Sequence, residues 1–230
     1  MTMEFRQVTL ETCPDATGAV VAIDVVRAFT TAAYAFAAGA GEIILAGTVE
    51  EALALREQFP GTFLMGEVDG LPISEFDFGN SPTEIAGLDL AGRRLIQRTT
   101  AGTQGVVRST KADLLLAGSL VCAGATARYL RQAQPETVTF VITGILLGRD
   151  GDEDIACADY LTALLRGEQP DIAPFIQRVY KSTTGRLFTD PAHPEFSEAD
   201  LARCVEVDRF DFAMVVERRD GLWLLKPVRV

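Results

Sequence analysis

Chemistry-bearing side chains gather in five short stretches of this 230-residue chain. They are Asp24 with Arg27, Thr30 and Thr31; Gly66–Glu67; Gly79–Asn80–Ser81–Pro82; Thr99–Thr100–Ala101–Gly102–Thr103; and Glu153–Asp154 with Cys157. Carboxylates without histidine suit a hard cation such as Mg²⁺, which takes oxygen ligands and keeps part of its water. Hydroxyls and glycines at helix starts suit phosphate or sulfonate oxygens, which accept from O–H and backbone N–H groups. Each stretch also has an ordinary structural reading. Taken alone, Asp24 reads as a helix cap with Arg27 as its counter-ion, Ser81–Pro82 as an N-cap and first helical residue, and Glu153–Asp154 as first-turn acids. Cys157 reads either as a small buried hydrophobe or as a nucleophile, and neighbouring acids oppose the thiolate that a nucleophile needs. Neither the CxxxxxR loop of cysteine phosphatases nor the DxDx[TV] pattern of a phosphoaspartate route occurs at these positions.

The elements that must position these residues alternate. Residues 5–10 read as a half-buried strand, 19–24 as a central strand, 30–38 as a helix and 42–46 as a strand, which together predict a βαβ unit. Thr48 with Glu51 has capping-box form before a helix ending at Pro60–Gly61, and a strand over 62–65 runs into Gly66–Glu67. Residues 66–82 form a long Gly/Pro/acid-rich loop of the kind that binds ligands. Strands follow over 93–97, 113–117 and 137–142, with helices over 120–132 and 153–165. The expected fold is three-layer α/β/α with a largely parallel, mixed sheet, in which ligands bind outside the carboxyl ends of the strands. The last third predicts a helix over 173–181, a loop over 183–195, a short helix over 197–204 with Asp200 in capping-box position, and a hairpin about Asp220–Gly221. The chain reads as one domain over 1–230, and 166–174 is the best candidate for a subdomain break. Whether the alanine-rich helix packs against the sheet or a second subunit is open at this stage, so a homo-oligomer is among the expectations.

Composition narrows the partners. With 21 basic and 32 acidic residues the net charge is −11, which disfavours nucleic acid and anionic membranes because there is no basic surplus to release counterions. A small anion remains compatible, since a few arginines or a bound cation reverse the local potential. No apolar run reaches the ~18 residues of a membrane span, and the first residues lack a signal-peptide pattern, so a cytoplasmic location is expected. Four widely spaced cysteines and the lone His193 argue against a disulfide framework, a zinc site or a histidine triad.

In this order and combination the stretches IDVVRAFTT from Ile23, GEVDGLP from Gly66, FDFGNSP from Phe76, TTAGTQG from Thr99 and EDIACAD from Glu153 resemble the 2-phosphosulfolactate phosphatase family. The likeness covers most of the first 160 residues. It implies an Mg²⁺-dependent hydrolase of coenzyme M biosynthesis that cleaves the phosphate monoester of a small sulfonated hydroxy acid. On this resemblance Asp24, Glu67 and Asp154 hold Mg²⁺ with Glu153 assisting. Arg27, Thr100, Gly102 and Thr103 neutralise phosphoryl charge, Asn80 and Ser81 grip the carboxylate or sulfonate, and Thr30 and Thr31 complete the substrate wall. Direct attack by water is expected. The chain departs from the family pattern at Phe29, Ala101 and Thr143–Gly144, so another short phosphorylated acid is the alternative substrate, and a non-catalytic anion-binding homologue the alternative class.

Overall fold

A computed structural model describes residues 3–146 and 148–230. In chain order its elements are β1 (Glu4–Thr9), β2 (Ala19–Ile23), α1 (Ala28–Ala37), β3 (Glu42–Leu45), α2 (Val49–Gln58), β4 (Phe63–Val68), β5 (Leu71–Pro72), α3 (Pro82–Ile85), β6 (Arg94–Arg98) and α4 (Gly102–Arg108). They continue with β7 (Leu114–Gly118), α5 (Ala123–Ala133), β8 (Thr137–Ile142), α6 (Asp152–Leu165), α7 (Ala173–Lys181), α8 (Thr183–Leu187), α9 (Glu198–Cys204), β9 (Ala213–Arg219) and β10 (Leu222–Val228). The fold is α/β with a mixed sheet, as the alternation of elements predicts.

The ten strands lie in the order β1-β8-β2-β7-β9-β10-β3-β6-β4-β5. Parallel pairing joins β1, β8, β2 and β7 into one half and β3, β6 and β4 into the other. The β9–β10 hairpin, turning at Asp220–Gly221 with φ of 53° and 80°, lies between the halves and pairs antiparallel with β7 and β3. This corrects the βαβ expectation for residues 19–46, because β7, β9 and β10 separate β2 from β3. The carboxyl-terminal hairpin supplies the strands that a local reading cannot see.

Three successive antiparallel steps make the two halves run in opposite senses. Twist of roughly 20–25° per strand accumulates to on the order of 100° between β2 and β6, which turns their carboxyl ends toward each other. Helix α1 fills the angle between them. Its sequence AFTTAAYAFA is buried on nearly every side, so its many alanines are the small side chains that let a helix sit between two sheet halves. Phe29, Ala32, Ala33 and Phe36 pack with Val20 and Ala22 of β2, Ile43 and Leu45 of β3, Leu95 of β6 and Val106 of α4. Burying Phe29 alone is worth about 1.5–3 kcal/mol. The alanine-rich helix therefore packs within its own chain.

The other face of β2 and β8 is covered by α5 and α6 together with the later helices. Val179, Phe188, Leu201 and Cys204 share a core with Val21, Ile23, Val138 and Phe140, so the residues beyond 166–174 draw on the same core as the central strands. The expected loop over 183–195 contains α8, capped by the Ser182 hydroxyl accepting from the Gly185 N–H at 2.9 Å. Among the described residues no helix is long and apolar enough to cross a membrane.

Candidate active site

Asp24 is the first residue beyond β2. Its Oδ1 accepts from the N–H of Ala28, the first residue of α1, at 2.9 Å, while the Thr143 hydroxyl meets Oδ2 at 3.4 Å; Arg27, not Asp24, holds the N-cap position of α1, so the cap reading of Asp24 is corrected. Gly102 of α4 packs directly on this carboxylate: a Cβ there would lie 2.8 Å from Asp24 Oδ2 and 2.7 Å from the Ala28 Cβ. Close approach of α4 to Asp24 is therefore what makes glycine necessary at 102.

Glu67 comes from β4 and is fixed by the adjacent strand end. The Thr100 N–H donates to Oε1 at 2.5 Å, and the Gly70 N–H and Thr100 hydroxyl donate to Oε2 at 2.5 and 3.1 Å. The preceding Gly66 has φ of 146°, and a Cβ there would collide with the Arg98 carbonyl. Glycine is thus required for β4 to lie against the end of β6 and present Glu67.

Arg27 follows a cis Val26–Arg27 peptide. Its Nη1 donates to Asp200 Oδ2 at 3.0 Å and its Nη2 to the Gly70 carbonyl at 2.9 Å. The guanidinium lies 5.0 and 5.8 Å from the ring centres of Phe188 and Phe196. Asp200 also accepts from the Ser81 hydroxyl at 2.6 Å and the Thr83 N–H at 3.1 Å. This corrects the capping-box reading of Asp200: its carboxylate ties α9 to α3 and Arg27, and Ser197 caps α9 through the Ala199 N–H.

Asp24, Arg27, Glu67, Asn80 and Thr100 line one cleft that opens to solvent, together with Asp69, Gly70, Thr143, Gly144, Arg149, Thr184, Phe188 and Phe196. The other expected site residues lie outside that lining. Both Asp154 oxygens are engaged by backbone, Oδ1 accepting from Val25 N–H and Oδ2 from Gly144 N–H, each at 2.8 Å, so this side chain clamps the two loops that frame Asp24. Ser81 is spent on Asp200 and on capping α3, where its oxygen accepts from the Glu84 N–H. The Thr30 hydroxyl donates to the Val25 carbonyl and meets Ser119, Thr103 is bonded to Thr99, and Thr31 is buried on α1. Glu153 is buried behind the cleft with Oε2 unpartnered. Cys157 packs in the core with Leu161 and Phe140, and burial raises its thiol well above the ordinary range, so it is no exposed thiolate.

Of the departures from the family pattern, Phe29 belongs to the core, whereas Ala101, Thr143 and Gly144 line the cleft. Asp200, Phe188, Phe196, Arg149 and Thr184 carry no sequence signal that marks them as site residues. They sit in stretches that read as loop or short helix and are brought in only by tertiary packing.

The electrostatics follow from crowding acids in a buried place. Burial, and then the charges of Glu67 and Glu153, push Asp24 up to about 6 against the pull of the Ala28 and Gly102 amides. Burial likewise raises Glu153 and Asp154, the latter further through Glu153 and Asp24. No arginine or lysine makes an ion pair with Asp24, Glu67, Glu153 or Asp154 among the described residues. A cation would relieve that cost, and oxygen donors without nitrogen or sulfur are of the kind that could hold a hard one. Among the described residues no three acids are close enough to make a ready cage.

A family model described as 2-phosphosulpholactate phosphatase matches residues 6–219. The chain is 36% identical over 202 residues to a Bacillus subtilis protein named probable 2-phosphosulfolactate phosphatase, covering 87% of each chain. It is 33% identical to a Thermus thermophilus protein of the same name, covering 88% of this chain and 89% of that one. A Deinococcus radiodurans protein so named is 42% identical over 147 residues, covering 62% and 61%.

Proposed function

Since the chain belongs to the 2-phosphosulfolactate phosphatase family, we propose that it is an Mg²⁺-dependent cytoplasmic phosphoric monoester hydrolase that converts 2-phospho-3-sulfolactate and water to 3-sulfolactate and phosphate. The observation that carries this reading is the convergence of Asp24 and Glu67 on one cleft from opposite halves of the sheet, with no basic side chain paired to either among the described residues. A site for an anion alone gains nothing from two carboxylates, whereas a site for a cation and a phosphate together does.

Asp24 Oδ2 and Glu67 would hold the metal, which supplies positive charge to the phosphoryl oxygens and lowers the pKa of water. Asp154 is a positioning residue, holding Val25 and Gly144 so that Asp24 keeps its aim. Without a cation, burial and the neighbouring acids hold the Asp24 carboxyl up at about 6, and a cation at Oδ2 would favour its charged form. Arg27, neutralised in part by Asp200, presents the remaining field of its guanidinium to the cleft and fixes the loop at Gly70, which in turn donates to Glu67. Asn80, with Oδ1 unpartnered, lines the opposite wall. Phe188 and Phe196 exclude water from the buried side of Arg27.

Phosphate release from 2-phosphosulfolactate, 2-phospholactate and 3-phosphoglycerate, each with Mg²⁺ and with chelator, tests the proposal. It expects Mg²⁺-dependent release, fastest from the sulfonated ester. Binding without release under every condition would favour an anion-binding homologue.

A further inference from the structure

Resting on the reading of Glu67 as a metal-holding acid, we infer that Thr100 is a positioning residue that sets the aim of Glu67, rather than a donor to the substrate's phosphoryl group. Thr100 lines the cleft, but its polar hydrogens are already committed. Its N–H donates to Glu67 Oε1 at 2.5 Å. Its hydroxyl accepts from the Asp69 N–H at 2.8 Å and stands 3.1 Å from Glu67 Oε2, so its one proton goes to the carboxylate. No hydrogen is left for a phosphoryl oxygen.

One residue thus holds both oxygens of Glu67, with its backbone on one and its side chain on the other. The terminal torsion of a glutamate is broad, and bonds to both oxygens fix the plane of the carboxylate. The main chain of Glu67 is held separately: its carbonyl accepts from Arg98 Nη1 at 2.7 Å, and β4 pairs with β6. Loss of the Thr100 hydroxyl therefore releases the carboxylate and leaves the strand in place.

The same hydroxyl holds the neighbouring turn. Asp69 and Gly70, with φ of 51° and 86°, join β4 to β5, the two-residue strand at the edge of the sheet. The Gly70 N–H donates to Glu67 Oε2 at 2.5 Å, and the Gly70 carbonyl accepts from Arg27 Nη2 at 2.9 Å. By gripping the turn through Asp69, Thr100 keeps this further donor in line with Oε2.

The test uses Thr100→Val, Thr100→Ala and Thr100→Ser in the full chain. Phosphate release from 2-phosphosulfolactate gives the Mg²⁺ concentration for half-maximal rate and, at saturating Mg²⁺, the KM for the ester. The rise of Tm with added Mg²⁺, in the absence of ester, gives the midpoint of metal binding without turnover. Thr100→Val and Thr100→Ala are expected to raise both Mg²⁺ midpoints roughly 10-fold, with the ester KM changed no more than about 3-fold, and Thr100→Ser to stay within about 2-fold of wild type. Unchanged Mg²⁺ midpoints in folded Thr100→Val and Thr100→Ala, an ester KM that rises as much as the Mg²⁺ midpoints, or no rescue by serine would overturn the positioning role. If the wild-type chain binds Mg²⁺ but releases no phosphate, the phosphatase reading fails, and the Tm midpoints still decide the role of Thr100. A wild-type Tm that does not respond to Mg²⁺ would overturn the metal reading and the positioning role with it.

Discussion

Arg27 Nη1 and Asp200 Oδ2 lie 3.0 Å apart with side chains only 8% and 2% exposed, so a residue that follows β2 and one near the carboxyl end form a buried ion pair beside the cleft. Removing one partner of such a pair leaves an uncompensated charge, a cost of about 3–5 kcal/mol. Asp200→Ala is therefore expected to destabilise the chain by that amount in urea unfolding and to lower kcat/KM, because Arg27 and the Gly70 loop lose their anchor. Arg27→Met added to Asp200→Ala should restore part of the stability and none of the activity. A loss under 1 kcal/mol in the single variant would remove the pair from the account.

Gly102→Ala places a methyl against Asp24 Oδ2 and the Ala28 Cβ. Overpacking of this kind costs about 1–3 kcal/mol and displaces the carboxylate. Phosphatase activity is expected to fall at least about 10-fold, while Gly87→Ala, where an added Cβ meets nothing within 4 Å, should keep wild-type melting and rate. Equal behaviour of the two variants would mean that α4 does not position Asp24.

The acid cluster sets a pH dependence of known sign. Asp24 is held at about 6 against an ordinary 3.8, so the folded chain binds its proton more tightly than the unfolded one. The stability this gives is full below about pH 4 and is lost as pH rises through about 6. Glu153 and Asp154 shift in the same direction. Scanning calorimetry of metal-free protein should give a higher Tm at about pH 5 than at about pH 8, with a smaller difference in Asp24→Asn. Mg²⁺ should raise the Tm of the wild-type chain at about pH 8. A metal-free Tm that rises between these pH values would contradict the burial of unpaired acids.

Cys157→Ala separates a nucleophile from a core thiol. Cys157 is fully buried in an apolar core, so the variant is expected to lose about 1 kcal/mol in denaturant unfolding and to keep its kcat. Loss of turnover in folded protein would return the thiol to the chemistry.

Much of this was legible in the residues, and the limits have physical causes. The strand runs, the caps at Thr48 and Ser81, and the turn at Asp220–Gly221 are local signals, and each appears where local propensity places it. Asp24 and Glu67 could be picked out because a carboxylate at a strand end is itself a local pattern. Sheet order is not local: β9 and β10 enter between β7 and β3 because they complete two open edges, a fact absent from any window of sequence. Asp200 illustrates the same limit, since three residues after a serine it has the form of a cap while its partners are 119 and 173 positions away. Asp154 and Ser81 have residue types that suit ligands, yet both lie outside the cleft lining, held there by backbone amides and by Asp200.

The most direct measurement is phosphate release from 2-phosphosulfolactate across an Mg²⁺ titration, by the wild-type chain and by Asp24→Asn and Glu67→Gln variants that melt as folded proteins. Turnover that is saturable in Mg²⁺ and abolished by chelator is expected for the wild-type chain, with kcat reduced at least about 100-fold and the Mg²⁺ requirement shifted to higher concentration in both variants. Full activity in chelator, or unchanged Mg²⁺ dependence in folded Asp24→Asn, would contradict the assignment of Asp24 and Glu67 to the metal and phosphate.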